Sequence, residues 1–408
     1  MRKRNGLLES LAAGVLALVP TLGCVQEYPP ETLLSRENSS AIEISQTPSP
    51  QENTSETAEP EFYWAMNDLT SNSPADITIV TTSIIPRSLE LQDAIINYQE
   101  TVFQINGFTT NYVELDSPEC KTKFGVNALE MGEERTLDRI IETTGSKYII
   151  LLGDERTILR PERTFDLGRR GISPVPSDSW YCDANKDSII DEGRSIGRID
   201  DYTGSAEAII TGLQTATKLH KSNGLEIQNK VNAGTPRANY GICCGCTEQD
   251  KFINDISQTD LLSFAGHGDP SGFAQGYGEY ETRNILFAGD IKLLNLQNHN
   301  PLVLAFGPCY AGANFDRPDL DQILRRSSIE FIRAGATGFI GNTVAEGYSI
   351  KFKDLFDASL RNGSALGDAL SNAARQTSLE NPDFIVTTHQ YQLYGDPSVR
   401  VIDHTRNP

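Results

Sequence analysis

The sequence predicts an α/β protein built around a mostly parallel sheet. Short apolar runs rich in Ile, Val and Leu alternate along the chain with segments whose apolar residues recur at helical spacing. The apolar runs carry few polar residues, as strands covered on both faces do. Regular alternation of strand and helix is typical of a parallel sheet with helices packed on its faces. The sequence therefore favours a layered α/β architecture.

The first half of the globular part shows this alternation from about residue 75. The apolar spacing predicts strands at 76–82, 111–116 and 148–154, and helices at 89–105, 135–145 and 206–222. Gly145 follows the second helix, where a left-handed C-terminal cap is expected. A turn-rich break at 231–237 then separates this half from the second.

Two apolar runs of the second half end in reactive side chains. Residues 260–268 close on His267 and Gly268, and residues 301–312 contain Cys309. Loop residues and a short helix opened by Asp290 are expected between them, which makes a right-handed unit of two parallel strands. Chemistry in such sheets collects outside the carboxyl ends of the strands. We therefore expect the imidazole and the thiol to meet at one edge.

A thiol beside an imidazole can act as a nucleophile with its proton-transfer partner. Cys309 would attack a carbonyl carbon and His267 would protonate the leaving amine. The backbone N–H groups of Gly268 and Cys309 are the expected oxyanion donors. Taken singly, a histidine in a Gly-rich turn is usually solvated and a lone cysteine is usually a small buried hydrophobe. Their joint position beside glycines at two strand ends favours chemistry. The other histidines, His220, His299, His389 and His404, have no comparable setting.

Several segments, in order along the chain, resemble the gingipain family of cysteine peptidases in the caspase-like clan. They are the His-Gly and Cys strand ends above, together with YIILLGD (148–154), PSDSWYCDANKD (176–187), SIGRID (195–200), AGATGFIGNT (334–343) and YQLYGDPSV (391–399). The resemblance implies a caspase-like parallel-sheet α/β/α sandwich in two subdomains, placed at 71–232 and 233–408. It also implies a cysteine endopeptidase that acts through a thioester acyl-enzyme.

The same resemblance implies roles for residues around the dyad. Asp178 matches a carboxylate that orients the imidazole, although Ser-Asp after a proline is also ordinary turn chemistry. The loop after 336–341 matches a substrate-pocket loop, which gives substrate-binding roles to Asn342, Thr343, Glu346 and Tyr348. Glu346 and Tyr348 could equally be surface residues.

An acidic stretch after Asp178 predicts a structural calcium site. Oxygen ligands recur at alternate positions, as in calcium loops, at Asp183, Asn185, Asp187 and Asp191. The stretch departs from the EF-hand pattern, because Ser188 replaces the sharp-turn glycine and Arg194 the bidentate glutamate. Calcium in the same region of gingipains strengthens the prediction. A solvated acidic loop is the alternative. Gingipains that cleave after basic residues use an acid from this region in their specificity pocket, so the resemblance also allows that role for one of Asp183, Asp187 and Asp191.

The N-terminus predicts export. A basic start at residues 2–4 is followed by a short apolar stretch that ends in small residues and Cys24. This pattern indicates a signal peptide at 1–24, and Thr21-Leu22-Gly23-Cys24 resembles a lipoprotein cleavage box with Cys24 lipidated. An uncleaved signal anchor is the alternative. Residues 25–70, rich in Pro, Ser, Thr and Glu, predict a disordered tether. We expect a secreted or surface-anchored protein.

The composition limits the kinds of molecule that are expected to bind this protein. A formal net charge of −20 argues against nucleic acid as a partner, since little would neutralise its phosphates. The expected partners are protein or peptide substrates, and the membrane only through the N-terminus. No motif for an organic cofactor is present. Besides Cys24 and Cys309, the cysteines at 120, 182, 243, 244 and 246 leave disulfide pairing open, and the oligomeric state is equally open.

Two other functions share this fold and these residues. One is a catalytically silent, calcium-stabilised surface binding protein, which the intact His267 and Cys309 argue against. The other is a transpeptidase of the same clan, which would pass the acyl group to an amine instead of water. The sequence leaves open the residue preferred before the cleaved bond, the physiological substrate and any activation by processing.

Overall fold

A computed structural model describes residues 74–405 except for several internal stretches. These are 167–171, 202–203, 234–253, 265–266, 270–271, 276–282, 288–290, 292–293, 307–310, 312–325 and 345–349. The predicted signal peptide, Cys24 and the tether lie outside the described residues. None of the helices in the described part combines the length and the apolar character that crossing a membrane requires.

Sixteen strands are present in the described residues, and nine of them form one central sheet. In chain order the strands are β1 (Ile77–Thr81), β2 (Thr110–Glu114), β3 (Tyr148–Leu152), β4 (Glu162–Asp166), β5 (Ile172–Pro176), β6 (Ser195–Ile199), β7 (Leu225–Ile227), β8 (Lys230–Ala233), β9 (Leu261–Phe264), β10 (His267–Asp269), β11 (Gly272–Gln275), β12 (Arg283–Phe287), β13 (Leu302–Ala305), β14 (Gly338–Asn342), β15 (Tyr391–Gly395) and β16 (Val401–Asp403). The central sheet has the order β2-β1-β3-β6-β15-β14-β13-β9-β8.

Nine helices accompany these strands in the described residues. They are α1 (Leu89–Asn106), α2 (Pro118–Phe124), α3 (Ala128–Met131), α4 (Glu133–Thr144), α5 (Glu207–Lys221), α6 (Ser327–Ala334), α7 (Ile350–Arg361), α8 (Leu366–Glu380) and α9 (Ile385–His389). Single 3-10 turns occur at Asp178–Cys182 and Pro382–Phe384.

The local signals place the first helices where the sequence predicts them. The Ser88 side chain accepts a hydrogen bond from the Leu91 N–H at the start of α1, and Gly107 ends that helix in the left-handed conformation. Gly145 ends α4 in the same way, as expected. Helices α2 and α3 were not predicted, because each is too short to show a helical period.

The connection between β9 and β13 differs from the prediction. Instead of a loop and a helix, its described part contains β10, β11 and β12 paired as a small antiparallel sheet. Of the helix expected to start at Asp290, only Ile291 is described as helical. Strands of three to five residues in a Gly-rich stretch give too few positions for a period of two to stand out.

Strand β15 lies in the middle of the central sheet although it comes late in the chain. It pairs antiparallel with β14 on one side and meets β6 through the Arg198–Tyr394 position on the other. Strand β16, which follows it in the chain, pairs with β7. One sheet therefore runs through both predicted subdomains. The predicted boundary at 232/233 falls within β8, and the division into subdomains stays a prediction.

Candidate active site

Neighbouring parallel strands end side by side shortly before the two predicted dyad positions. Leu261 pairs with Leu302 and Leu262 with Val303, so that β9 and β13 end side by side. His267 follows Phe264, the last residue of β9, by three positions, and Cys309 follows Ala305, the last residue of β13, by four. Because parallel strands that end together deliver their following residues to the same edge, this register supports the predicted meeting of imidazole and thiol.

The dyad itself is only partly within the described structure. The backbone of His267 and Gly268 opens the short strand β10, where His267 pairs with Ala274 and Gly268 with Phe273. Cys309 lies outside the described residues. The contact between the two reactive groups, and the oxyanion roles of Gly268 and Cys309, therefore stay predictions.

The strand end that leads to Cys309 is held by buried contacts. Phe306 packs edge-on against the rings of Phe352, Phe356 and Tyr391, with ring centroids 5.1–5.6 Å away. The side-chain amide of Asn342 donates a hydrogen bond to the Phe306 carbonyl at 3.2 Å. These contacts fix the backbone three residues before the predicted nucleophile.

Two predicted substrate-binding residues lie beside this strand end. Asn342 and Thr343 are buried at the carboxyl end of β14, and Asn342 is paired in register with Tyr391. The Thr343 N–H donates to the Gln390 carbonyl at 2.8 Å. Asn342 Oδ1 and Thr343 Oγ1 are buried and make no hydrogen bond in the described structure. Glu346 and Tyr348 lie outside the described residues, and all four substrate-binding roles stay predictions.

Asp178 is fully buried and faces cations. Arg198 donates to both carboxylate oxygens, at 2.8 and 2.6 Å, and Arg160 Nε lies 3.6 Å from Oδ1. Burial would raise the pKa of Asp178, but the charges of the two arginines outweigh it and hold that pKa below its ordinary value. The carboxylate is therefore ionised and paired. Its predicted role in orienting His267 stays a prediction.

Arg198 connects several segments at the same edge. Its Nη1 atom donates to the carbonyls of Gly153, at 2.8 Å, and Ile158, at 3.1 Å, while the rest of the guanidinium binds Asp178. One buried side chain of β6 thus fixes the loop after β3 and the turn that begins at Asp178. Sequence reasoning placed this arginine in a family-like motif but gave it no role.

A second set of charges joins the two halves of the sheet. Glu155, after β3, accepts from Arg160 at 3.0 Å and lies 3.3 Å from Arg326, which precedes α6. Arg326 also lies 3.9 Å from Asp200, after β6. Since α6 belongs to the connection from β13 to β14, the ion pair between Glu155 and Arg326 ties the far end of the segment containing Cys309 to the first half of the chain.

Asp200 should make the stability of the protein depend on pH. Burial, reinforced by the charge of Glu155, raises the pKa of Asp200 to about 8. The folded state therefore holds a proton that the unfolded state releases near pH 4. Because of this difference, the contribution of Asp200 to the free energy of unfolding falls as the pH rises from about 4 to 8. In Asp200→Asn the unfolding free energy should fall less steeply with pH than in the wild type, by roughly 1 kcal/mol per pH unit. The measurement is the unfolding free energy, from urea titrations, between pH 5 and 9.

The matched control is Asp93→Asn on the exposed side of α1, which should leave the slope of the wild type unchanged. Equal slopes for wild type and Asp200→Asn would show that Asp200 titrates normally in the folded state.

The predicted calcium residues form a tight acidic loop. Both oxygens of the buried Asp183 accept backbone hydrogen bonds, from Asp187 and Ser188, and its carboxylate also binds Arg163. Asp191 accepts from the Ala184 N–H at 3.0 Å. Within the described residues, no group of three or more acidic, histidine or cysteine side chains is arranged to hold a metal ion. In this conformation the oxygens serve the turn itself, and calcium binding stays a prediction.

A histidine that the sequence left without a role lies beside this loop. The His389 ring stacks on Trp180 with a centroid separation of 3.5 Å, and Phe165 stacks on Trp180 at 5.6 Å. His389 Nδ1 is 2.7 Å from Ser179 Oγ, and Nε2 is 3.0 Å from the Ser188 carbonyl. Burial lowers the pKa of His389 to about 3, so the ring is neutral at ordinary pH.

Two cysteines are described, and neither has nucleophilic character. Cys120 and Cys182 are free thiols in the interior. Burial raises the pKa of Cys120 to about 11 and that of Cys182 to about 12, which keeps both protonated. Cys243, Cys244 and Cys246 lie outside the described residues. Among the described cysteines, none competes with Cys309 for a catalytic role.

The large, mostly parallel sheet with helices is the architecture of a caspase-like α/β protein. The model of Peptidase family C25 matches residues 199–402, half of the chain. The chain belongs to this family, the gingipain family, as the sequence motifs predicted. Family membership supports a cysteine peptidase. No curated protein sequence gives a significant match.

Two solved structures share the fold. One is the complex of the pro- and mature domains of RgpB from Porphyromonas gingivalis, at 15% identity and a TM-score of 0.55, covering 80% of this chain and 79% of that one. The other is the Arg-specific cysteine proteinase gingipain R (RgpB), at 15% identity and a TM-score of 0.54, covering 81% and 79%. Both matches confirm the predicted gingipain-like fold.

Proposed function

We propose that this protein is a cysteine endopeptidase with Cys309 as nucleophile and His267 as its proton-transfer partner. The observation that carries the proposal is the register of β9 and β13, which ends the two strands side by side just before these residues. The contacts of Phe306 and Asn342 support it further, because they give the nucleophile's strand a fixed end. Precise placement of a reacting group is worth several orders of magnitude in rate.

In the proposed reaction, the Cys309 sulfur attacks the scissile carbonyl carbon and the carbonyl oxygen becomes an oxyanion. The backbone N–H groups of Gly268 and Cys309 donate to that oxyanion. As the C–N bond breaks, His267 gives its proton to the leaving amine and a thioester remains. Water then loses a proton to His267 and attacks the thioester. The C–S bond breaks, which releases the carboxylic acid and regenerates the thiolate.

The remaining features complete the proposal. Asn342, Thr343, Glu346 and Tyr348 contribute to the substrate pocket. The acidic loop, through Asp183, Asn185, Asp187 and Asp191, holds a structural calcium ion. Asp178 supports His267. A signal peptide with lipidation at Cys24 places the enzyme at the cell surface, where peptides or proteins are its substrates.

Covalent labelling tests the proposal directly. A peptidyl acyloxymethyl ketone, which alkylates catalytic thiolates, should modify the wild-type protein under reducing, calcium-replete conditions. Cys309→Ala should lose the label and all measurable peptide cleavage, because its thiol is the proposed nucleophile that forms the thioester. Cys120→Ala, the control, should keep both, since its thiol is buried and protonated. Intact-mass spectrometry measures the label, and a peptide library measures cleavage.

The outcomes separate the proposal from its competitors. A wild type that takes no label and cleaves no peptide is a binding protein with the same fold, and the proposal then fails. Labelling at Cys309 accompanied by ligated product, when an amine acceptor is added, identifies a transpeptidase. Hydrolysed product with and without the acceptor supports the endopeptidase.

A further inference from the structure

We propose that His389 is a specificity-positioning residue, which holds the acidic loop against Thr343 and Val344, directly after β14, and so sets the shape of the substrate pocket. The acidic loop here means residues 183–191. This inference rests on the proposed peptidase function.

The hydrogen bonds of His389 assign a single tautomer to its ring. A backbone carbonyl only accepts, so the Nε2 atom that lies 3.0 Å from the Ser188 carbonyl must carry the proton. In the neutral ring Nδ1 is then the acceptor, and the Ser179 hydroxyl donates to it at 2.7 Å. The imidazole therefore bridges Ser179, in the turn after β5, and Ser188, in the acidic loop. Both ring nitrogens are used, and each has one defined partner.

The acidic loop depends on these partners for its shape. Lys186 and Ser188 have φ angles of 60° and 67°, the left-handed region that side-chain-bearing residues rarely adopt. Such residues keep this conformation only where neighbouring groups over-determine it. Ser188 is fixed on both sides of its backbone, since its N–H donates to Asp183 and its carbonyl accepts from His389. Loss of the imidazole would release one of these two restraints.

The other side of His389 reaches the predicted substrate loop. The next residue, Gln390, accepts the N–H of Thr343 at 2.8 Å. Val344 packs in a small buried cluster with Trp180, the residue on which the His389 ring stacks, and with Val386 of α9. The described part of the segment after β14 and the acidic loop are therefore both anchored on the same short stretch, α9 and its end. We infer that they form two walls of one pocket.

A substitution at His389 can separate pocket shape from catalysis. His389→Phe keeps an aromatic ring to stack on Trp180 but removes both nitrogens. The hydrogen bond lost to Ser188 is of a size that corresponds to about a tenfold change in an equilibrium. We expect KM for the best peptide of the wild type to rise about tenfold while kcat stays within about threefold. His389→Gln, whose side-chain amide can still donate to Ser188, should restore part of the affinity.

Three measurements make the test decisive. Peptide-library profiling reports residue preference, active-site titration with the ketone probe corrects for inactive protein, and hydrogen exchange followed by mass spectrometry reports opening of residues 183–191. His389→Phe should broaden the preference and speed exchange in the acidic loop. His404→Phe, at an exposed histidine near the C-terminus, is the control and should change neither.

Each outcome bears on the inference. A fall in kcat or in the titratable fraction with KM and preference unchanged would mean that His389 only supports folding, and would overturn the inference alone. Unchanged exchange of the acidic loop in His389→Phe would overturn it as well. A wild type that neither labels nor cleaves would remove the proposed function and this inference together.

Discussion

Replacing Arg198 with methionine is expected to lower the free energy of unfolding by about 3–5 kcal/mol, the usual cost of removing one partner from a buried ion pair. Arg198 is completely buried, and its guanidinium makes four hydrogen bonds, two of them to Asp178. Methionine has a similar length but no donor. Among the described cations it would leave Arg160 as the neighbour of the Asp178 carboxylate, and it would leave the carbonyls of Gly153 and Ile158 without this donor.

Urea titration at pH 7, followed by tryptophan fluorescence, measures this loss. The control is Arg139→Met on α4, whose exposed guanidinium makes one surface ion pair with Glu142 at 3.7 Å and should change the unfolding free energy by less than about 0.5 kcal/mol. If Arg198→Met does not fold, Arg198→Lys provides the comparison, since it keeps the charge but not the bidentate geometry. A loss below about 1 kcal/mol in Arg198→Met would contradict the role assigned to this arginine.

Asp396→Ala should have an effect of similar size at a different place. The buried Asp396 carboxylate accepts from Tyr98 at 2.9 Å, from the Ser398 hydroxyl at 2.7 Å and from His220 Nε2, which lies at 3.0 Å. Tyr98 belongs to α1 and His220 to α5, so one carboxylate joins both helices to the end of β15. Alanine would leave several buried donors without an acceptor, which costs about 1–3 kcal/mol each. We expect the free energy of unfolding to fall by roughly 3–5 kcal/mol in total.

The effect of this substitution should shrink in acid. Burial acts to raise the pKa of Asp396, but hydrogen bonds from His220 and Ser398 outweigh it and hold that pKa below its ordinary value. The carboxylate therefore contributes fully to the free energy of unfolding above about pH 4, the ordinary pKa of an aspartate in the unfolded chain. This contribution is lost as the pH falls toward the lower pKa of the folded state. Unfolding titrations at pH 7 and pH 3 measure the difference. Asp396→Asn, which keeps the shape, should lose less, and the exposed Asp383→Ala should lose almost nothing.

The main strands and helices could be predicted from the sequence, because the signals for them lie within each element. Strands β1, β3, β13 and β14 lie in short runs made mostly of apolar or small residues, and α1 and α5 show the apolar spacing of amphipathic helices. The small sheet of β10, β11 and β12 could not be recognised from the sequence, because strands of three to five residues show almost no periodicity. Pairing partners also lie beyond local reach, which is why β16 was not matched with β7.

The site was predictable only where its residues follow strands. His267 and Cys309 were identified by position and by family resemblance. His389 was missed because its two hydrogen-bond partners are 210 and 201 residues away in the chain. The burial of Arg198 was equally hidden, since an arginine in a strand is most often exposed and only the tertiary structure surrounds it with acceptors. Long-range polar contacts of this kind leave no mark on local composition.

The central position of β15 has a consequence for how the molecule is made. Residues 391–395 fill the gap between β6 and β14, so the four strands on one side of β15 and the four on the other cannot be joined until these residues have been synthesised and have left the ribosome. Until then each half exposes an unpaired strand edge, which is prone to adhere to other chains. Synthesis and final assembly are therefore separate in time, and a nascent chain that stops short of residue 391 cannot close its sheet.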